Sequence, residues 1–384
     1  MNERREIPFG RPWLHPEDRE AVMRVLGGHV LTHGPECRAF EGDFAAFLGP
    51  DAHALTASSC MAALHMAYLV LGVGPGDEVI APALTHTATV HAIEWVGARP
   101  VFVDCEPGTG NLDARAAAAA VTPRTKALTL VHFAGIPTDM TPILALAAAH
   151  GLRVVEDCAI ALGARHLGRH VGLSGDVGAF SFYPVKHITT AEGGMFVSHR
   201  PEIVAAAGRL RAFGVDRSHT ERSIPGMYDV TSLGLNYRMS ELQAALGRTQ
   251  LARFTENLAR RRRNFVALAT GLGGLPVRVL ASPDPAARTS DYCLVALLEP
   301  PFGARRDAVV KRLGERGVGT SIYYPHPVPR LQYYREKYGY TPGSFPNAAR
   351  VSDESIALPV GPHLEEDDMR YIATALRDAL EARS

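Results

Sequence analysis

Between about residue 53 and residue 198, short apolar runs alternate with stretches in which apolar residues recur every three or four positions. The short runs predict strands over 54–57, 78–81, 99–103, 126–133, 152–155, 178–185 and 195–198. The 3.6-residue pattern between them predicts helices over 61–69, 87–95, 114–120 and 142–150. Repeated βα units with short apolar strands point to a mostly parallel sheet covered by helices on both faces.

The flanks differ. Before residue 50, one helix opens at Pro16 and carries Val22, Met23, Val25 and Leu26, and a second carries Phe40, Phe44 and Phe47. After the alternating region come a helix over 203–212, a polar loop to about residue 228, and helices over 240–250 and 251–267. Within the last of these, Arg260 to Arg263 form a run that reads as a solvated face. Beyond residue 275 the chain is richer in proline, with a strand over 291–297 and helices over 306–316 and 365–380. The expected fold class is α/β: a large domain over 1–250 built on the mostly parallel mixed sheet, and a smaller α+β domain over 251–384. A chain of 384 residues exceeds what one core usually carries, which agrees with two domains.

Composition narrows the function. Lys plus Arg and Asp plus Glu both number 40, so no global field favours nucleic acid or an anionic membrane, and small molecules are the natural ligands. The five cysteines are far apart in sequence, which argues against a disulfide framework or a thiolate metal site, and no metal is expected. The first residues lack the apolar stretch of a signal peptide, and no apolar run approaches a membrane span. The expected location is cytoplasmic.

Four features fall at the C-terminal ends of predicted strands, where open α/β sheets bind ligands. Ser58, Ser59 and Cys60 head a helix, a place for a phosphate or for plain N-capping. Asp157 follows Glu156 after the strand LRVV; it suits a protonated heterocyclic nitrogen or a structural ion pair. Ser181 offers a hydroxyl to a phosphate or to the backbone. Lys186 follows an apolar run and precedes Glu192-Gly193-Gly194, where desolvation would make its amine a nucleophile. Together they form a phosphate cup, an aspartate for a ring nitrogen and a lysine for an aldehyde, and pyridoxal phosphate has those three handles. A dehydrogenase or nucleotide enzyme would need a G-x-G-x-x-G turn or a G-x-x-x-x-G-K-[ST] loop after the first strand, and neither is there. A non-catalytic regulator on the same fold should have lost the lysine or the aspartate.

The segments LGVGPGDEVIAPALTHTATVHA, GARPVFVD, VVEDCAIALGA, GDVGAFSFYPVKHITTAEGGM and LGLNYRMSELQAALG carry a resemblance. The chain resembles the sugar aminotransferases of the DegT/DnrJ/StrS group, within the fold type I pyridoxal-phosphate enzymes, from IPFGRPW nearly to its C-terminus. The resemblance implies that Lys186 is the Schiff-base lysine, Asp157 the pyridinium partner and Ser181 a phosphate ligand. Ser59 and Cys60 stand where the group usually has glycine and threonine around the phosphate. His86 stands where an aromatic ring stacks on the pyridine. Asn236 matches an asparagine that reaches the phosphate from a neighbouring subunit, which implies a homodimer with shared sites. Thr32, His33, Tyr323, Tyr324 and His326 are weaker substrate contacts by position, and Ile160 replaces a residue that is polar in many members. The loop over 216–227 could cover the site. The implied reaction moves an amino group from glutamate or glutamine to a nucleotide-linked keto-sugar. A sugar dehydratase or lyase, and an aminotransferase acting on a keto-cyclitol, are the alternatives; related dehydratases have histidine in place of the lysine.

Overall fold

A computed structural model gives the fold and describes residues 5–216, 223–224, 226–341 and 343–382. Most of the 216–227 loop therefore lies outside the described residues. The strands are β1 (His53–Ala57), β2 (Glu78–Pro82), β3 (Arg99–Val103), β4 (Thr125–Val131), β5 (Arg153–Asp157), β6 (Arg165–His166), β7 (Arg169–His170), β8 (Val177–Ser181) and β9 (Gly194–Ser198). Seven of them form one sheet in the order β1-β9-β8-β5-β4-β2-β3. Strands β3, β2, β4, β5 and β8 are parallel, and β9 runs antiparallel to both β8 and β1. The result is the mixed, mostly parallel sheet expected. The C-terminal ends of β1, β2, β4, β5 and β8 and the start of β9 therefore share one edge.

The βα turns are built as their sequences dictate. Ser59, His86, Asp113 and Asp139 each cap the following helix by accepting a backbone N–H. The Pro35–Leu48 helix lacks a side-chain cap of its own; instead Glu241 accepts from the Glu36 and Cys37 amides, placing a carboxylate at the positive helix end.

Downstream lie β10 (Val277–Val279), β11 (Ala287–Arg288), β12 (Leu294–Leu298) and β13 (Ser355–Leu358). The three strands β10, β12 and β13 form an antiparallel sheet, and β11 pairs with the β6–β7 hairpin. A second core gathers Leu268, Leu294, Val309, Leu313, Ile356, Met369, Ile372 and Leu376, and takes in Ile7 from the other end of the chain. Ile7 forms a bridge with Val318, so the lead-in segment is tied to this C-terminal core.

Several expectations change. The run over 178–185 is not one strand: β8 stops at Ser181, and Pro184 lies in a turn closed by the Lys186 N–H donating to the Tyr183 carbonyl at 2.9 Å. The predicted 291–297 strand begins at Leu294, because Asp291 takes a positive φ of 47° and turns the chain first. The arginine run is not wholly solvated. Arg260 and Arg263 reach the exposed Glu365 and exposed Arg262 reaches the buried Asp291, but Arg261 is only 5% exposed and donates to Asn257 Oδ1 and the Tyr292 carbonyl. Burial lowers its pKa to about 10.

The β6–β7 hairpin gives the fold a pH dependence. Buried His170 accepts from the Gly163 N–H through Nε2, and its Nδ1–H donates to the Val171 carbonyl. Both nitrogens are used by the neutral ring, and burial holds its pKa at about 4. An unfolded histidine titrates near 6.5, so this stabilisation is complete above that pH and is lost as the pH falls toward 4. Urea unfolding is expected to show up to about 3 kcal/mol less stability at pH 4 than at pH 7 from this residue. His170→Gln, which keeps a donor and an acceptor, is expected to flatten that slope.

Candidate active site

The shared sheet edge gathers the residues singled out in the sequence. Asp157 ends β5 and is buried. Its Oδ1 accepts from the Ala159 N–H at 3.0 Å and faces the Cys60 thiol at 3.9 Å, and its Oδ2 accepts from the Thr89 hydroxyl at 2.7 Å. No cation among the described residues lies within 4.0 Å of it, so it is not half of an ion pair. Glu156, its neighbour, points the other way. It accepts from His132 Nε2 and from the Gly172 and Gly175 amides. Burial raises the Glu156 pKa, but these donors outweigh it and hold the group below the usual carboxylate value. His132 Nδ1 accepts from the Thr138 N–H, so its Nε2 carries the proton and the ring is neutral. With Cys158 these groups bring metal-ligand atoms together, but the His132 nitrogens and both Glu156 oxygens are already engaged.

Lys186 stands on the turn after β8. The turn is pinned from behind at three points: Gln250 accepts from Thr189 N–H, Asn257 donates to the His187 carbonyl, and His187 Nε2 donates to the Ser290 carbonyl. The amine lies 5.4 Å from the centroid of the Tyr292 ring. Burial lowers its pKa, opposed by the charges it would meet on Cys60, Asp157 and Cys293. An amine so placed gives up its proton more readily than a surface lysine, which suits a nucleophile and base.

Beside it, β8 and β9 close against the head of the Cys60–Val70 helix. Ser181 pairs with Gly194 across the ladder, and Ser59 caps the helix by accepting from the Ala62 N–H at 3.0 Å. A Cβ at Gly194 would lie 2.6 Å from the Cys60 nitrogen and closer still to the Ser59 carbonyl. Only glycine lets the strand come this near the helix end, where free N–H groups can receive a phosphate. Gly194→Ala is therefore expected to weaken pyridoxal-phosphate binding at least about tenfold, read by absorbance titration of the apoprotein. Cys60 does not offer a phosphate hydroxyl as threonine would: its thiol is directed at Asp157, and burial, then the Asp157 charge, pushes its pKa well up.

His86 is exposed in the cleft. Its Nδ1 accepts from the Ala88 N–H, so the neutral ring carries its proton on Nε2, and desolvation lowers its pKa. Its ring stands edge-on to Tyr324 at 5.8 Å. Tyr324 packs against Phe133 and Tyr323, and the Tyr323 and Tyr292 hydroxyls are 2.8 Å apart. Ile160 is 1% exposed in the cluster under this wall; its carbonyl accepts from the Ser290 hydroxyl and its side chain offers no polar contact, so the side chain is core rather than a hydrogen-bonding substrate group. His326 is exposed on the following loop. Thr32 and His33 are exposed beside the start of the Glu241–Ala252 helix, where Leu31 accepts from the Glu241 N–H. Asn236 is exposed, on a segment whose Tyr237 carbonyl accepts from the Ser58 N–H. Within one chain the structure thus brings together Ser59, Cys60, His86, Asp157, Ser181 and Lys186, and leaves Thr32, His33 and Asn236 on the surface. Sequence reasoning missed Thr89, Tyr292 and Arg261. The four-residue spacing of Thr85 and Thr89 was a readable signal; Tyr292 had none.

The profile of the DegT/DnrJ/EryC1/StrS aminotransferase family matches residues 12–377. The chain belongs to that family. It is a pyridoxal-phosphate-dependent aminotransferase with the type I fold. It is 36% identical to the spore coat polysaccharide biosynthesis protein SpsC of Bacillus subtilis over 380 residues, 98% of this chain and 97% of that protein. Its structure is similar to that of S. venezuelae DesV in complex with a ketimine intermediate, with a TM-score of 0.88, 34% identity, and coverage of 98% of this chain and 100% of the other. It is also similar to the putative sugar aminotransferase Spr1654 of Streptococcus pneumoniae in its PMP-form, with a TM-score of 0.92, 28% identity, and coverage of 98% and 99%. The aminotransferase's own residues fit the cofactor: a buried carboxylate and an amine that form no ion pair within 4.0 Å among the described residues, and a cradle that a Cβ at Gly194 would fill.

Proposed function

We propose that this aminotransferase moves an amino group from glutamate or glutamine to a keto-sugar carried on a nucleotide, through a site built on Lys186 and Asp157. The observation that carries the reading is Lys186: a desolvated amine at the sheet edge that feels the charge of a buried aspartate with no cation within 4.0 Å among the described residues. The name of SpsC, a protein of polysaccharide biosynthesis, supports a sugar as the acceptor class.

Pyridoxal phosphate supplies an aldehyde that condenses with amines and a ring that draws electrons from the carbon beside the nitrogen. The protein does the rest. Ser59, the backbone at Cys60, and Ser181 would hold the phosphate. Asp157 would bind the ring nitrogen. His86 would cover the ring and exclude water. Lys186 Nζ would hold the aldehyde, and as a free amine it would take up and return the proton of the donor carbon. Tyr292, Tyr323 and Tyr324 shape the mouth through which the acceptor enters.

The working unit is a homodimer located in the cytoplasm, each chain dividing near residue 250 into a large and a small domain. Asn236 then reaches the phosphate of the partner, with Thr32 and His33 nearby. In support, the exposed surface beside Asn236 is apolar, with Leu233 93% exposed and Phe213, Tyr228 and Val230 also open. The second core built on residues 268–380 supports the domain division. Among the described residues no helix is long and apolar enough to cross a membrane.

The test is a panel of keto-sugar nucleotides and free keto-cyclitols with glutamate and glutamine as donors, with products read by mass. Amination of a nucleotide-linked keto-sugar is expected. Loss of nitrogen from an amino sugar without exchange would instead identify a lyase. Light scattering should give the mass of a dimer.

A further inference from the structure

The turn that opens the Thr87–Trp95 helix carries two buried hydroxyls that lead to Asp157. Thr85 is 1% exposed and Thr89 0% exposed. Their Oγ1 atoms are 2.7 Å apart, and Thr89 Oγ1 lies 2.7 Å from Asp157 Oδ2. A threonine inside a helix usually turns its hydroxyl back to the carbonyl four residues earlier. Thr89 instead meets the side chain of that residue on one side and a carboxylate on the other.

The direction of the chain follows from counting hydrogens. The carboxylate accepts, so the single Thr89 hydrogen goes to Asp157. Thr89 can then only accept from Thr85, and Thr85 must donate. The order is Thr85 to Thr89 to Asp157. Hydrogen bonds linked in this way polarise one another, and those to an ionised acceptor are the stronger kind. The other oxygen, Oδ1, is held by the Ala159 N–H and the Cys60 thiol. Both oxygens are thus fixed without a cation. His86 lies between the two threonines, so one helical turn holds both a ring-facing group and the support of the aspartate.

We propose that Thr89, with its hydroxyl fixed by Thr85, is a positioning residue that aims Asp157 at the ring nitrogen of pyridoxal phosphate. It acts through Asp157 and touches no substrate. The inference rests on the assignment of Asp157 to that nitrogen.

The test uses pyridoxal phosphate labelled with nitrogen-15 in its ring, added to the full-length apoprotein. The nitrogen chemical shift reports protonation at that atom, and an absorbance titration gives the dissociation constant. Thr89→Val, which keeps the shape and removes the donor, is expected to weaken binding about tenfold. It should also move the nitrogen resonance toward that of Asp157→Asn. Thr85→Val should move the resonance the same way by less. Thr89→Ser should restore both readings. A Thr89→Val protein with wild-type affinity and resonance overturns the proposal. So does a Thr89→Ser protein as impaired as Thr89→Val, because packing of the methyl group would then be the cause. If Asp157→Asn itself leaves the resonance unmoved, the assignment of Asp157 fails and the proposal falls with it, a result distinct from failure at Thr89 alone.

Discussion

Lys186→Ala is expected to lower amino transfer at least about a thousandfold, because in the proposed reading one side chain supplies both the covalent anchor and the base. No other lysine can take its place. Lys126, Lys311 and Lys337 are all exposed, and Lys337 is tied to Glu94. Lys186 alone is withdrawn from water, and burial lowers its pKa. The loop behind it is pinned by Gln250, Asn257 and Ser290, so truncation leaves the backbone in place. Loss of activity should therefore come without loss of fold, and circular dichroism should match the wild type. Borohydride treatment of the wild-type holoenzyme should fix the cofactor to one peptide, the one containing Lys186, and peptide mapping of Lys186→Ala should find none. Retained activity, or an adduct on another lysine, would overturn the assignment.

Much of this site was legible in the sequence because its parts are local. A residue that ends an apolar strand and begins a turn has little freedom: β5 delivers Asp157 and β1 delivers Ser59 and Cys60 to the same edge. The parallel order of the strands then does the assembling, without any long-range detail. What was not legible depends on the second core. Tyr292 reaches Lys186 only because Asp291 turns the chain before β12, and no local pattern announces that turn. The short helices Gln332–Tyr338 and Pro346–Glu354 were missed because they lie in a proline-rich stretch where a propensity signal is weak. Arg261 shows the same limit. A run of four arginines reads as a surface, but one in four on a helix can face inward, and the sequence does not say that Asn257 and the Tyr292 carbonyl await it. The end of β8 was overrun because Phe182 to Val185 stay apolar after the ladder has ended; the hydrophobic pattern tracks burial, whereas the strand ends with its pairing.

The second large effect separates the catalytic reading of Asp157 from a structural one. Asp157→Asn is expected to lower kcat by about a hundredfold to a thousandfold, the usual scale for removing one preorganised charge from a transition state. The same change is expected to leave the apoprotein as stable as before, or more so. A buried carboxylate that belonged to an ion pair would behave oppositely, because its loss strands a buried cation at a cost of about 3–5 kcal/mol. Asp157 has no such cation within 4.0 Å among the described residues, only the Ala159 amide, the Thr89 hydroxyl and the Cys60 thiol. Asparagine fills the same space. Its carbonyl can still accept from Ala159 N–H, and its amide can donate to Thr89, whose hydroxyl then turns toward Thr85. Packing is kept and the charge alone is removed. Denaturant unfolding of the two apoproteins, set beside steady-state rates of the two holoenzymes, gives both numbers. A stability loss that matches the activity loss would make Asp157 a structural residue. Falling activity at constant or rising apoprotein stability means that the fold keeps this carboxylate without a cation among the described residues so that it can serve the cofactor.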